Sequence, residues 1–212
     1  RQAEELINNK QEKINEKICD HPSIKVGNTD KIKIKGKIIK IDDKLRLWKI
    51  YKPIKYICTN NDPQKRKKIF DLIPTNLPRL ISIGRLDYMS EGLMLLTNKG
   101  DFARKLELPN NNFERIYRVC VDHKINKEDL DNINRGIVIK KIKYQKIKII
   151  FEKKTHKYSW LVVKLKEGKN REIRNIFEYF GWNIVKLIRI QYGPYRLYNL
   201  KRGQLVEIKK IY

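Results

Sequence analysis

The hydrophobic positions of this chain alternate between two rhythms, and the alternation predicts its elements. Residues 1–20 open with Ala3, Leu6 and Ile7 on one side of a short helix. From Ile24 to Ile41 apolar residues alternate with lysines around two turn signals, Gly27-Asn28-Thr29-Asp30 and Lys35-Gly36-Lys37, which reads as short hairpin strands. Leu47-Trp48-Lys49-Ile50-Tyr51-Lys52 is a strand rich in aromatic and β-branched residues, stopped by Pro53. The basic loop Asp62–Lys68 follows, then a short apolar segment, Ile69–Ile73, closed by Pro74.

Gly84-Arg85-Leu86-Asp87-Tyr88-Met89-Ser90-Glu91-Gly92 sets two glycines around an adjacent cation and acid and runs into an apolar strand. Such a loop turns sharply or lies close to a ligand, so Asp87 is read as a turn former, an ion-pair partner or a reactive carboxylate. Asp101 is expected to cap a helix from Phe102 to Leu106. In Phe113–Asp122 the period is two, placing Phe113, Arg115, Tyr117, Val119 and Val121 on one face. Tyr117 is then either a core tyrosine or a ring whose hydroxyl meets a ligand. Asn126–Asp129 is expected to cap a helix through Ile133 that Gly136 terminates.

Two long strands, about 137–151 and 158–166, lead to Asn170, the expected cap of a helix whose Ile173, Phe177 and Phe180 share a face and which Gly181 closes. Arg171 and Arg174 in its first turn oppose the helix dipole and call for an anion, either a phosphate or a carboxylate such as Asp87. The last stretch, 185–209, is strand-like. Strands and helices mix without a βαβ rhythm, so the class is α+β with a largely antiparallel central sheet and flanking helices.

Charge adds a partner. The 212 residues hold 49 Lys+Arg against 24 Asp+Glu, a formal net of +25, which fits a polyanion. Residues 1–46 carry only +4 of this and residues 47–212 carry +21, so the larger unit is the main polyanion-binding body. The chain is heavy in Lys, Ile and Asn, which makes arginine placement the better guide to the binding face. Three widely spaced cysteines read as reduced thiols in a cytoplasmic protein, and the three histidines lack metal-ligand spacing. No apolar run has the length of a membrane span, and the start is not a signal peptide. The absent initiator Met suggests a trimmed N-terminus. No Gly-rich phosphate loop points to a nucleotide-driven motor or a dinucleotide enzyme.

The Gly84–Asn98 block, together with Trp48–Pro53, Phe70–Pro74, Tyr117-Arg118-Val119 and Glu167–Arg174 in this order, resembles the bacterial ribosomal RNA pseudouridine synthases of the RsuA-like branch. The resemblance implies two domains: residues 1–46, a partial S4-like RNA-binding domain whose first helix is absent here, and residues 47–212, a catalytic domain. It implies isomerisation of one uridine in ribosomal RNA, 23S rather than 16S, by a cytoplasmic monomer that needs neither cofactor nor metal. A non-catalytic ribosomal RNA-binding or ribosome-assembly factor is the competing class.

By the same resemblance, Asp87 is the essential carboxylate, and Tyr117 stacks on the flipped base and takes part in proton transfer. Arg174 pairs with Asp87, Arg85 fills the space the base leaves or contacts the backbone, and Leu187 packs beneath the base. Lys52, Lys169, Arg171 and Arg189 are expected on the RNA-binding surface. The chain departs from the pattern at Lys55, where glycine is usual, at Glu172, where glutamine is usual, and at Glu12 and Glu16, which place acid on the S4-like surface.

Overall fold

The computed structural model describes residues 2–212 except 28, 40–43, 109–110, 126 and 135. The chain divides into two compact units, Arg1–Lys44 and Leu45–Tyr212. In the first, helix α1 (Gln2–Asn8) precedes strands β1 (Glu12–Ile14), β2 (Lys17–Ile18), β3 (Ile32–Ile34) and β4 (Lys37–Ile38). They form one antiparallel sheet in the order β2-β1-β3-β4. Asp30 ties it together by accepting from Gly27 N at 2.7 Å and from Asn15 Nδ2 at 2.7 Å. Two expectations need correcting. Residues 12–18 form a hairpin that their sequence did not suggest, and Ile24 and Val26 lie outside any strand, each 44% exposed.

The second unit runs β5 (Leu47–Lys52), a 3₁₀ turn (Ile69–Leu72), β6 (Ile81–Ile83), β7 (Glu91–Thr97), α2 (Gly100–Glu107), β8 (Arg115–Val121) and α3 (Lys127–Asn134). It continues with β9 (Ile137–Ile139), β10 (Ile142–Tyr144), β11 (Lys148–Lys154), β12 (Ser159–Leu165), α4 (Glu172–Tyr179), β13 (Ile184–Tyr192), β14 (Tyr195–Arg196) and β15 (Leu205–Glu207). A nine-stranded sheet follows the path β11-β12-β8-β13-β7-β5-β15, with β14 beside β13 and β6 beside β7. Its named pairs are antiparallel except β13–β7, which is parallel, so the expected α+β class with a largely antiparallel sheet holds.

Burial follows the alternation of side chains along each strand. On β7 all seven residues are buried. Leu93 and Leu95 join Ala103 and Leu106 of α2 in one core, while Met94 and Leu96 join Ile69, Leu80 and Leu86 in another on the opposite face. A third core sets Ile173, Ile176 and Phe177 of α4 against Val119, Val121, Leu161 and Val163. Tyr117 packs against this third core and also against the cluster that holds Leu86. Among the described residues no helix is long and apolar enough to cross a membrane.

Other expectations change in detail. The strand expected over 137–151 is broken at Lys140-Lys141, which take φ of 49° and 66° and reverse the chain into the β9–β10 hairpin. Two successive positive φ values are the geometry of a tight hairpin turn that Asn-Gly usually supplies, which is why two lysines did not signal it. Helix α2 starts after Lys99, with no side-chain cap from Asp101. Helix α4 starts after Arg171, itself left-handed at φ 52°, so Asn170 is not its cap. The capping role expected of Asn126 lies outside the described residues.

The parallel contact between β13 and β7 is only two register pairs long, Ile188↔Glu91 and Arg189↔Gly92. Gly92 has φ 108°, and a Cβ built there would lie 2.4 Å from the Arg189 carbonyl oxygen. No rotamer relieves a clash between a Cβ and backbone, so Gly92→Ala must spread the strands or twist β7. Chemical denaturation is expected to show Gly92→Ala destabilised by at least about 2 kcal/mol; a loss under about 0.5 kcal/mol would mean that the junction tolerates a side chain.

Candidate functional site

Residues 84–90 leave β6 and return as β7. One edge of β7 pairs with β5, and its other edge is shared by β13 at Glu91–Gly92 and β6 at Leu95–Thr97. The loop therefore sits where the sheet splits. It is tied down on every side. Lys52, 0% exposed, directs its ammonium to the carbonyls of Pro53 at 3.0 Å, Asp87 at 3.0 Å and Ser90 at 2.7 Å. Burial pulls its pKa down to about 8, against the partial support of neighbouring Cys58 and Asp87. The carbonyl of Tyr88 accepts from Lys55 N at 2.7 Å, and Cys58 Sγ donates to Leu86 O at 3.4 Å. Lys55 adopts φ 64°, a left-handed conformation at the position where the sequence replaces an expected glycine.

From α4, Arg174 reaches across to the same loop. Its Nη2 donates to Met89 O at 2.9 Å and to Ser90 Oγ at 3.1 Å, and its Nε lies 3.6 Å from Asp87 Oδ2. That separation is an ion pair longer than a direct hydrogen bond, and the buried Nε has no closer acceptor. Burial disfavours the Arg174 charge while Asp87 favours it. The guanidinium thus grips the loop through Nη2 and holds Nε toward the carboxylate. Ser90 carries half of that grip and had no signal in the sequence beyond its place in the block.

Just beyond the loop, Glu91 is buried and met by Arg202 at 2.9 and 3.2 Å and by the Tyr51 hydroxyl at 3.1 Å. On the far wall, Arg115 donates to the carbonyls of Lys166 at 2.6 Å and Glu167 at 3.2 Å and to the Tyr192 hydroxyl at 3.1 Å. It holds the turn that leads into α4. These partners are distant in sequence, so no local pattern pointed to them.

Between the loop and α4 opens a cleft of about 810 Å³ lined by Arg85, Asp87, Tyr117, Lys169, Arg171, Arg174, Leu187 and Arg189. Asp87 is partly exposed to it, with 36% of its side chain accessible, and Leu187 is 5% exposed. Arg85 and Arg171 stand exposed at its rim. Two expected RNA-surface residues do not lie on a surface. Lys52 is enclosed by its three carbonyls, and Arg189, 2% exposed, gives Nε to Leu93 O at 2.7 Å and Nη2 to Met94 Sδ at 3.1 Å. Their charges are consumed inside the fold. Lys169 is exposed but engaged, paired with Glu167 at 2.9 Å and donating to Lys143 O at 2.5 Å. Among the described residues no three His, Cys, Asp or Glu side chains cluster as a metal site.

Comparison with known proteins identifies the class. Residues 46–179 match the family described as RNA pseudouridylate synthase. An RNA pseudouridine synthase of Rickettsia felis is 46% identical, with 98% of this chain and 90% of the relative covered. Ribosomal large subunit pseudouridine synthase B of Bacillus subtilis is 33% identical over 98% of this chain and 86% of its own. The corresponding protein of Buchnera aphidicola subsp. Schizaphis graminum is 39% identical over 86% and 72%. A crystal structure of a pseudouridylate synthase superposes with a TM-score of 0.71 at 23% identity, covering 98% of this chain and 89% of the other, which shows a common fold. The chain belongs to the RNA pseudouridine synthase family and is an isomerase.

Glu172, in the first turn of α4, lines the same cleft yet is 4% exposed. Its Oε2 accepts from Lys169 N at 3.1 Å, while Oε1 is buried without a partner. Burial raises its pKa from 4.5 to about 7, the Lys169 hydrogen bond opposing and Glu167 adding to the rise. The folded state therefore holds this proton more tightly than the unfolded chain. The stabilisation is complete below pH 4.5 and is lost as pH rises toward 7. Glu172→Gln, which cannot ionise, is expected to match the wild type in denaturant stability near pH 5 and to exceed it by about 2–3 kcal/mol at pH 8. Parallel pH profiles for the two proteins would show that Glu172 is ionised throughout.

Proposed function

We propose that this protein isomerises one uridine of large-subunit ribosomal RNA to pseudouridine, with Asp87 as the essential carboxylate. The observation that carries the reading is the cleft in which Asp87, Tyr117 and Arg174 converge from the loop, β8 and α4. The relatives named ribosomal large subunit pseudouridine synthase B support the choice of RNA. The net charge of +25 suits a phosphate-rich partner bound with strong salt dependence.

The reaction breaks N1–C1′, turns the uracil and joins C5 to C1′, so that no atom enters or leaves. The Asp87 carboxylate serves either as a nucleophile at C1′ or as a base for the 2′ proton. Arg174 stands 3.6 Å from it as its ion-pair partner. The base must first leave its stack, which costs a few kcal/mol and calls for an aromatic partner. Tyr117 supplies the ring, Leu187 the apolar surface beneath the base, and the exposed Arg85 enters the space left behind. Arg171 contacts phosphate at the rim, and Lys169 shapes the same turn. Residues 1–44, with their lysine-rich hairpins, form an S4-like accessory RNA-binding domain, and residues 45–212 form the catalytic one.

Pseudouridine mapping of ribosomal RNA tests this directly. Deletion of the gene is expected to remove one large-subunit site, restored by the wild type but not by Asp87→Asn, whose turnover falls by more than about a thousand-fold. Restoration by Asp87→Asn would remove Asp87 from the chemistry, and loss of a small-subunit site would redirect the substrate. A second variant separates chemistry from binding. Arg174→Met is expected to lower the single-turnover rate by at least about a hundred-fold with RNA affinity within a few-fold of wild type; the reverse pattern would make Arg174 a phosphate ligand.

A further inference from the structure

The rim of the cleft beside Asp87 carries an arrangement that the isomerisation does not use. Tyr88 follows Asp87, but its side chain turns outward, 39% exposed and lining the opening. The backbone sets its place: Lys55 N donates to the Tyr88 carbonyl at 2.7 Å, and Lys52 holds the carbonyl of Asp87 at 3.0 Å. The Arg66 guanidinium lies 6.0 Å from the centre of the Tyr88 ring and lines the same opening.

Arg66 is itself fixed. Asp62 accepts from its backbone N at 2.8 Å, its Nε at 3.0 Å and its Nη2 at 2.8 Å. That pairing offsets the charge that would otherwise seize a phosphate and leaves a flat, oriented plane. Exposed Lys65 and Lys67 flank it and supply positive potential without entering the pair. An exposed aromatic ring with a carboxylate-held guanidinium beside it on a basic rim suits the face of an unpaired base, because every base has a π-face and stacking needs no particular edge.

We infer that Tyr88 and Arg66 form a stacking platform for an unpaired base flanking the target nucleotide. Tyr88 follows Asp87 in the chain and lines the same opening, which suits its ring to a neighbour of the nucleotide at Asp87. The platform makes the enzyme select RNA in which that neighbour is free of a helix. This assignment rests on the reading of Asp87 as the centre of uridine isomerisation, and its test has one arm that does not need turnover.

That arm uses the full chain and oligouridylates carrying a single 2-aminopurine at each position in turn, whose fluorescence is quenched on stacking. Wild type is expected to quench the probe at one position. Tyr88→Ala is expected to abolish the quench and to weaken binding about ten-fold, while Tyr88→Phe keeps both, since the ring and not the hydroxyl carries the effect. In the second arm, KM for ribosomal RNA transcripts rises in Tyr88→Ala by more than kcat falls. Equal quench and affinity in wild type and Tyr88→Ala, or an equal loss in Tyr88→Phe, overturns the platform. A ring-dependent quench with no pseudouridine formed by wild type overturns the isomerisation reading and leaves the platform standing.

Discussion

The second unit depends on a junction two residue pairs long. Strands β11, β12, β8 and β13 form one half of the sheet and β7, β5 and β15 the other, and the halves meet where Ile188 and Arg189 lie beside Glu91 and Gly92. So short a contact persists because Gly92 admits the Arg189 backbone where any side chain would exclude it. The site elements follow from this seam. The loop with Asp87 ends one residue before it, Leu187 precedes it, and Tyr117 pairs with Arg189 across from it. Bringing the two strands together brings a carboxylate, an aromatic ring and an apolar floor to one place.

Buried cations then hold the geometry. Lys52 and Arg189 each place a charge inside the protein, where an unpaired ion costs several kcal/mol; Lys52 is met by three backbone carbonyls, and Arg189 by one carbonyl and the Met94 thioether, rather than by acids. Carbonyls compensate a cation without neutralising it. The ammonium beneath the loop keeps the peptide dipoles of Asp87 and Ser90 pointed inward, so the Asp87 side chain faces the cleft against a fixed backbone. Arg174 completes the arrangement from a separate helix, joining Ser90 and Met89 to α4.

The sequence made legible the parts that rest on local pattern. Leu93 to Leu96 read as a strand because they are apolar without interruption, and Ile173 and Phe177 read as a helix face because their spacing is four. Asp87 stood out through its flanking glycines. Lys52 and Arg189 were misread because a cation on an alternating strand looks solvated, and the carbonyls that bury it come from residues 35 and 96 positions away. The β9–β10 hairpin was invisible because Lys140 and Lys141 take positive φ without the residue types that favour it. Arg171 at the start of α4 does the same at φ 52°, and Asn170 was the more obvious cap.

The buried and paired cations also alter what the net charge of +25 means. Binding of RNA is favoured by the ions that phosphates release as protein charges replace them, and the slope of log affinity against log salt counts those replacements. Lys52 and Arg189 replace none, since no phosphate reaches them. Arg66, Arg118, Arg174 and Arg202 already face carboxylates, and each contributes less than a free cation would. The ionic-strength dependence of the complex therefore reports the arginines and lysines left unmatched on the surface, a smaller set than the composition implies.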